Sequence, residues 1–194
     1  NAMVFSTGYA ANLGVLTALL GKGDVVLLDS DAHASLYDGC RMSGADIYRF
    51  RHNDMVSLER RLERLEDRAG RCLIIVEGMY SVLGDCAPLA KIVELKERFG
   101  ASLLVDEAHS LGVFGDRGCG VAEEQGVLDK VDFIVGTFSK SLGAMGGFCV
   151  SRHDVLGLFR YVSRPFMFTA SPSPAVMATT REALHQLRTR RELK

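Results

Sequence analysis

Five short apolar runs constrain this chain more than any other feature: VVLL (25–28), CLIIV (72–76), SLLV (102–105), FIVG (133–136) and GFCV (147–150). None alternates with polar residues. A strand with one wet face alternates, whereas a strand covered on both faces reads as a continuous apolar run. Between the runs lie segments of helical period. In SLERRLERL (57–65), Leu58, Leu62 and Leu65 fall on one stripe. In PLAKIVELKERFG (88–100), Leu89, Ile92, Val93 and Phe99 share a face, Pro88 suits a first turn and Gly100 suits the stop. Repeated alternation of strand and helix predicts an α/β domain: three layers around a mostly parallel sheet. ADIYRF (45–50) alternates more and is expected nearer an edge. The first residues read as loop and helix without a leading strand.

With 194 residues, 47% of them apolar, the chain can bury a sizeable core. The net charge is −1 and the Lys and Arg are spread along the sequence, which does not suit a nucleic-acid partner. No apolar run reaches membrane-spanning length. The five cysteines form no C-x-x-C pair, which suits reduced thiols and a cytoplasmic setting.

Asp29, Glu77, Asp106 and Thr137 each follow a predicted strand, with His33, His109 and Lys140 close behind. Ligands of open α/β sheets bind beyond the carboxyl ends of the strands, so these residues are expected to converge there. Three chemistries compete for them. LLVDEAH (103–109) resembles the acidic box of a helicase-type NTPase, but GVLTALLGKGD (14–24) does not make a phosphate loop. His33, His52, His109, His153 and His185 have no metal-ligand spacing, so no metal is expected. His52 is expected to be a solvated residue after a strand.

The third chemistry is that of pyridoxal phosphate. It requires a lysine able to form a Schiff base, an acid facing the pyridine nitrogen and donors for one phosphate. Of six lysines, only Lys140 follows a buried strand among small hydroxyl and glycine residues. Partial burial there is expected to favour its neutral, nucleophilic form. Asp106 ends a strand in an apolar setting and suits the ring nitrogen. His109 lies three residues on and suits the ring hydroxyl. His33 offers a flat ring for stacking. Thr137, Ser139 and the helix opening at Gly8 and Tyr9 suit the phosphate.

Five motifs in order, GYAANLG, DSDAHAS, EGMYSVLGD, VDEAHSLGVFGDRGCG and GTFSKSLGAMGG, resemble the α-oxoamine synthases, a family of fold-type I pyridoxal-phosphate enzymes. The resemblance implies a decarboxylating condensation of an amino acid with an acyl-CoA, giving an aminoketone. It implies that Lys140 carries the cofactor and moves the α-proton, that Asp106 faces the pyridine nitrogen, and that His109 and His33 flank the ring. Gly8, Tyr9, Thr137 and Ser139 would surround the phosphate. Thr169, in FTASPSP, would reach the phosphate of a partner subunit in a homodimer, although Pro172 departs from the family pattern. Glu77 and Ser81 would stand behind the cofactor, near His33. GTFSKS, YSVLGD and RPFMFTAS look most like the serine-using branch. The pimeloyl- or glycine-dependent branches are the alternative within this chemistry, and a non-catalytic subunit is the alternative outside it. By resemblance, residues 1–194 form the cofactor-binding large domain, with an N-terminal segment and a C-terminal small domain expected beyond them. The arginine for the substrate carboxylate would belong to that small domain, so this chain alone is not expected to turn over.

Overall fold

The computed structural model describes residues 1–193. Its strands are β1 (Ala2–Phe5), β2 (Val25–Asp29), β3 (Asp46–Phe50), β4 (Cys72–Glu77), β5 (Ser102–Asp106), β6 (Phe133–Thr137) and β7 (Gly147–Ser151). Its helices are α1 (Gly8–Leu19), α2 (Ala34–Ser43), α3 (Met55–Glu63), α4 (Leu89–Phe99), α5 (Val121–Glu124), α6 (Val155–Val162), α7 (Arg164–Met167) and α8 (Pro174–Thr189). All seven strands form one sheet in the order β1-β7-β6-β5-β4-β2-β3. The neighbours from β3 to β6 pair in parallel, while β7 runs antiparallel to β6. β3 lies at an edge, as its alternation suggested.

β1 corrects the sequence reading. Ala2 to Phe5 extend the sheet by pairing antiparallel with β7, with Met3 opposite Cys149. Met3 and Phe5 are buried in the face that packs on α1 and α6.

Strand alternation produces the three layers. Val25, Leu27, Ile74, Val76, Leu103 and Val105 point to one face and bury Leu58 and Leu62 of α3 with Leu89 and Ile92 of α4. Val26, Leu28, Leu73, Ile75 and Leu104 point to the other face, against Val15 and Leu16 of α1, Leu36 of α2 and Phe159 of α6. A fully buried Leu or Ile contributes roughly 1.5–3 kcal/mol, so the doubly covered strands dominate the core. α4 ends as expected, with Gly100 in the left-handed region at φ 69°. Pro88 caps that helix from outside its first turn. Among the described residues no cysteine forms a disulfide. Burial pushes the thiols of Cys40, Cys72 and Cys149 up to about 12, which leaves them poor nucleophiles.

Asp29 and His52 both depart from expectation. Asp29 shares the face of Leu27, so it points away from the helices α1 and α2 and does not join Glu77 and Asp106. It is fully buried and accepts from Asp31 N at 2.9 Å and Asn53 N at 3.1 Å. His52 is not a free solvated side chain. Its Nδ1 lies 2.9 Å from Asp29 and its Nε2 3.0 Å from Asp85, with Tyr80 packed edge-on against the ring. Burial lowers the His52 pKa, but the two carboxylates outweigh it and the net shift is upward.

The folded pKa of His52 thus stands above its unfolded value. Its contribution to stability is complete below the ordinary histidine value of about 6.5 and is lost as pH rises through the folded value. His52→Gln is expected to cost about 1–3 kcal/mol at the acid end, because it leaves Asp29 short of a charged partner. Thermal melts of both proteins from about pH 5 to 9 should converge as pH rises. A gap that widens with pH would contradict this account of the clamp.

Candidate active site

The carboxyl ends of β4, β5 and β6 open with the start of α1 onto a cleft of about 240 Å³. Thr7 caps α1 in extended conformation, its Oγ1 accepting from Ala10 N at 3.0 Å. The first amides of the helix, Gly8 and Tyr9, therefore line the cleft with positive partial charge. Gly8 is required by packing: a Cβ there would lie 2.8 Å from Thr137 Cβ. Thr137 is buried, and its hydroxyl donates to Gly146 O at 2.9 Å. Its oxygen also lies 2.9 Å from Ser139 Oγ, so Ser139 donates to it in this arrangement. The helix amides are thus the donors left for an anion, with the two hydroxyls beside them.

Asp106 and Glu77 stand side by side in register on β5 and β4. Both are buried, with different partners. Asp106 accepts from Ala108 N at 2.9 Å and Asn12 Nδ2 at 2.7 Å. Glu77 accepts at one oxygen from His33 N at 2.6 Å. Burial, reinforced by the charge of Asp106, pushes Glu77 up to about 8, against the opposing pull of Lys140. The two adjacent acids thus differ: Asp106 is provided with donors at both oxygens, while burial favours the protonated form of Glu77.

His109 is half-buried on the cleft wall. Burial and then the positive charge of Lys140 hold its pKa below the ordinary value, against the charge of Asp106. His33 caps α2, its Nδ1 accepting from Ser35 N at 3.2 Å and lying 2.7 Å from Ser35 Oγ. Tyr9 sets its ring edge-on to His33 at 6.4 Å and donates its hydroxyl to Asp38, whose carboxylate raises the phenol's pKa.

Lys140 lines the same cleft, but it is exposed instead of partly buried. Ser139 before it is exposed too, and a turn comes directly after it, so neither covers the amine.

The cleft thus gathers Gly8, Tyr9, His33, Glu77, Asp106, His109, Thr137, Ser139 and Lys140. Ser81 and Thr169 are exposed and lie outside it. Sequence reasoning missed Thr7, Asn12 and Ser35. A lone asparagine between apolar residues in GYAANLGVL was the available signal, since a polar group on a buried helix face needs partners. It also missed Glu107, which turns its buried carboxylate away from the cleft. Glu107 accepts from Val121 N at 3.0 Å, Ala122 N at 2.8 Å and the Ser110 hydroxyl, and so anchors the segment after β5.

Known proteins resemble this chain in sequence and in fold. Residues 1–193 match the family described as aminotransferase class I and II. A serine palmitoyltransferase of Caulobacter vibrioides is 58% identical over 194 residues, all of this chain and 48% of the relative. An 8-amino-7-oxononanoate synthase of Geobacter metallireducens is 46% identical over 183 residues, 94% of this chain and 46% of the relative. The solved structure of serine palmitoyltransferase from S. paucimobilis with a bound PLP–myriocin aldimine superposes with a TM-score of 0.94 at 51% identity. That match covers 97% of this chain and 49% of the solved one. The chain spans about half the length of the curated relatives it matches. It belongs to the aminotransferase class I and II family, among the α-oxoamine synthases.

Proposed function

We propose that this chain is the cofactor-binding large domain of a pyridoxal-phosphate-dependent acyl-CoA:amino acid C-acyltransferase of the serine palmitoyltransferase kind. One observation carries the reading: a lysine amine, a buried carboxylate and the amino end of a helix share one cleft. The donor set fits the cofactor part by part. Helix amides and a tight glycine suit a phosphate, Asp106 suits a protonated ring nitrogen, and Lys140 suits an aldehyde.

When bound, pyridoxal phosphate supplies an aldehyde for the amino acid and a ring that accepts electron density from its α-carbon. The residues of this chain supply the rest. Lys140 provides the amine for covalent attachment, and its Nζ takes the α-proton. Asp106 holds the proton on the ring nitrogen. His109, kept neutral at pH 7, hydrogen-bonds the ring hydroxyl. His33 would stack on the ring, with Glu77 holding it through its backbone N–H, while Ser81 stays outside this arrangement. Gly8, Tyr9, Thr137 and Ser139 surround the phosphate, and Thr169 serves the partner's phosphate in a homodimer. The substrates are an amino acid and an acyl-CoA, the setting is cytoplasmic, and no nucleic acid takes part. Among the described residues no helix is long and apolar enough to cross a membrane.

The choice of serine over other amino acids is supported by the 58% identity noted above and by GTFSKS around the lysine. The 46% identity to an 8-amino-7-oxononanoate synthase keeps that activity, or glycine C-acetyltransfer, as the second reading. Thiol release from palmitoyl-CoA, measured on the intact protein, separates them. Serine is expected to exceed glycine and alanine by at least about tenfold in kcat/KM, because a site built around a hydroxyl rejects analogues that lack it. Preference for glycine, or for alanine with a shorter acyl-CoA, would move the assignment to the other branch.

A further inference from the structure

A chain of hydrogen bonds runs behind the cleft from Asp106 to His33, and its direction is set at one end. Both oxygens of Asp106 are met by N–H donors, from Ala108 and from Asn12. The Asn12 side chain must therefore turn its NH2 group toward Asp106, since the opposite orientation would set a carbonyl oxygen against a carboxylate. The second N–H of that group reaches Ser35 Oγ at 2.9 Å. Ser35 accepts there, so its single hydroxyl hydrogen is left for His33 Nδ1 at 2.7 Å. The backbone N–H of Ser35 points at the same nitrogen. His33 Nδ1 is thus an acceptor from two donors, and a neutral imidazole that accepts at Nδ1 carries its proton on Nε2.

Asn12 is only 3% exposed, and among the described residues its Oδ1 has no hydrogen-bond partner. A buried acceptor without a donor is unfavourable. It is the remainder when one NH2 group serves Asp106 and Ser35 together. The local cost therefore supports the conclusion that Asp106 imposes the amide's orientation.

We propose that Asn12 is a positioning residue that converts the negative charge of Asp106 into a fixed tautomer of His33, with Ser35 as the intermediary. This rests on the reading given above, in which Asp106 and His33 both face the bound ring. One buried amide then sets both contacts, and His33 offers the substrate a hydrogen-bond donor.

The test compares the intact wild-type protein with Asn12→Asp, a variant of equal size and reversed hydrogen-bonding character. A protonated carboxyl at position 12 would donate to Asp106 and accept the Ser35 hydroxyl hydrogen at the same oxygen, leaving Ser35 Oγ to accept from His33 and the Ser35 backbone N–H without its acceptor. In protein labelled with 15N-histidine, and with His33→Gln to assign the resonance, the wild type is expected to show His33 protonated at Nε2. Asn12→Asp is expected to place a proton on Nδ1. Asn12→Asp with Ser35→Ala is expected to return it to Nε2, because the intermediary is gone. A folded Asn12→Asp protein that keeps the wild-type tautomer would overturn the proposal.

If Asn12→Asp does not fold, a kinetic cycle decides. Asn12→Leu and Ser35→Ala should each lower kcat about tenfold to a hundredfold, while KM for the amino acid stays within about threefold. The double variant should be no slower than the slower single. Losses that multiply would mean that the two residues act independently. The spectra are taken without substrate or cofactor, so the relay can fail while the cofactor reading survives. Loss of cofactor attachment to Lys140 would sink that reading and leave the tautomer result to stand by itself.

Discussion

Asp106→Asn is expected to lower turnover of the intact, cofactor-loaded protein about a hundredfold to a thousandfold, the usual effect of removing one preorganised charge partner. The side chains have nearly the same shape, so the loss reports charge. A carboxylate favours a protonated ring nitrogen opposite it, and an amide has no net charge with which to do so. The surrounding donors add to the effect. Ala108 N and Asn12 Nδ2 both point at position 106, so an asparagine there must turn its own NH2 toward one of them. Steady-state CoA release and the absorbance of the bound cofactor against pH are the measurements. The account predicts that cofactor remains bound while kcat falls. Turnover within threefold of wild type would remove Asp106 from the chemistry.

Lys140→Ala should have the larger effect, about ten-thousandfold on kcat, because it removes both the attachment point and the group that moves the α-proton. It should leave the fold intact. Lys140 is exposed and, among the described residues, enters no ion pair, so its loss opens no cavity and strands no carboxylate. Lys96 differs: it is mostly buried and pairs with Asp132 at 2.6 Å. A melting temperature close to wild type, together with lost turnover, is the expected pair of results. A large drop in melting temperature would mean that Lys140 also supports the structure.

Much of the fold was legible because doubly covered strands leave continuous apolar runs, a local signal. β1 was not, because Ala2–Phe5 become a strand only by pairing with β7, far along the chain. Within the site, Glu77, Asp106, Thr137 and Lys140 were readable from their places at the ends of apolar runs or just beyond them. Asp29 looked equivalent, but side chains alternate along a strand and its own points to the other face. Counting to the strand end does not give the face; comparing it with Leu27 would have. His52 looked solvated because Asp29 and Asp85 are its neighbours in space and not in sequence. Asn12 was hidden for the same reason, its partners Asp106 and Ser35 lying on other elements. Lys140 was expected to be partly covered because it comes after a buried strand, but exposed Ser139 and the turn beyond leave the amine open to the cleft.

Locating the covalent link to the cofactor tests the central claim most directly. The intact protein would be loaded with pyridoxal phosphate, reduced with borohydride, digested and mapped by mass spectrometry. The account predicts the phosphopyridoxyl group on the peptide containing Lys140 and on no other. Finding it on Lys22, Lys91, Lys96 or Lys130, or finding no reducible link in protein that still releases CoA, would contradict it.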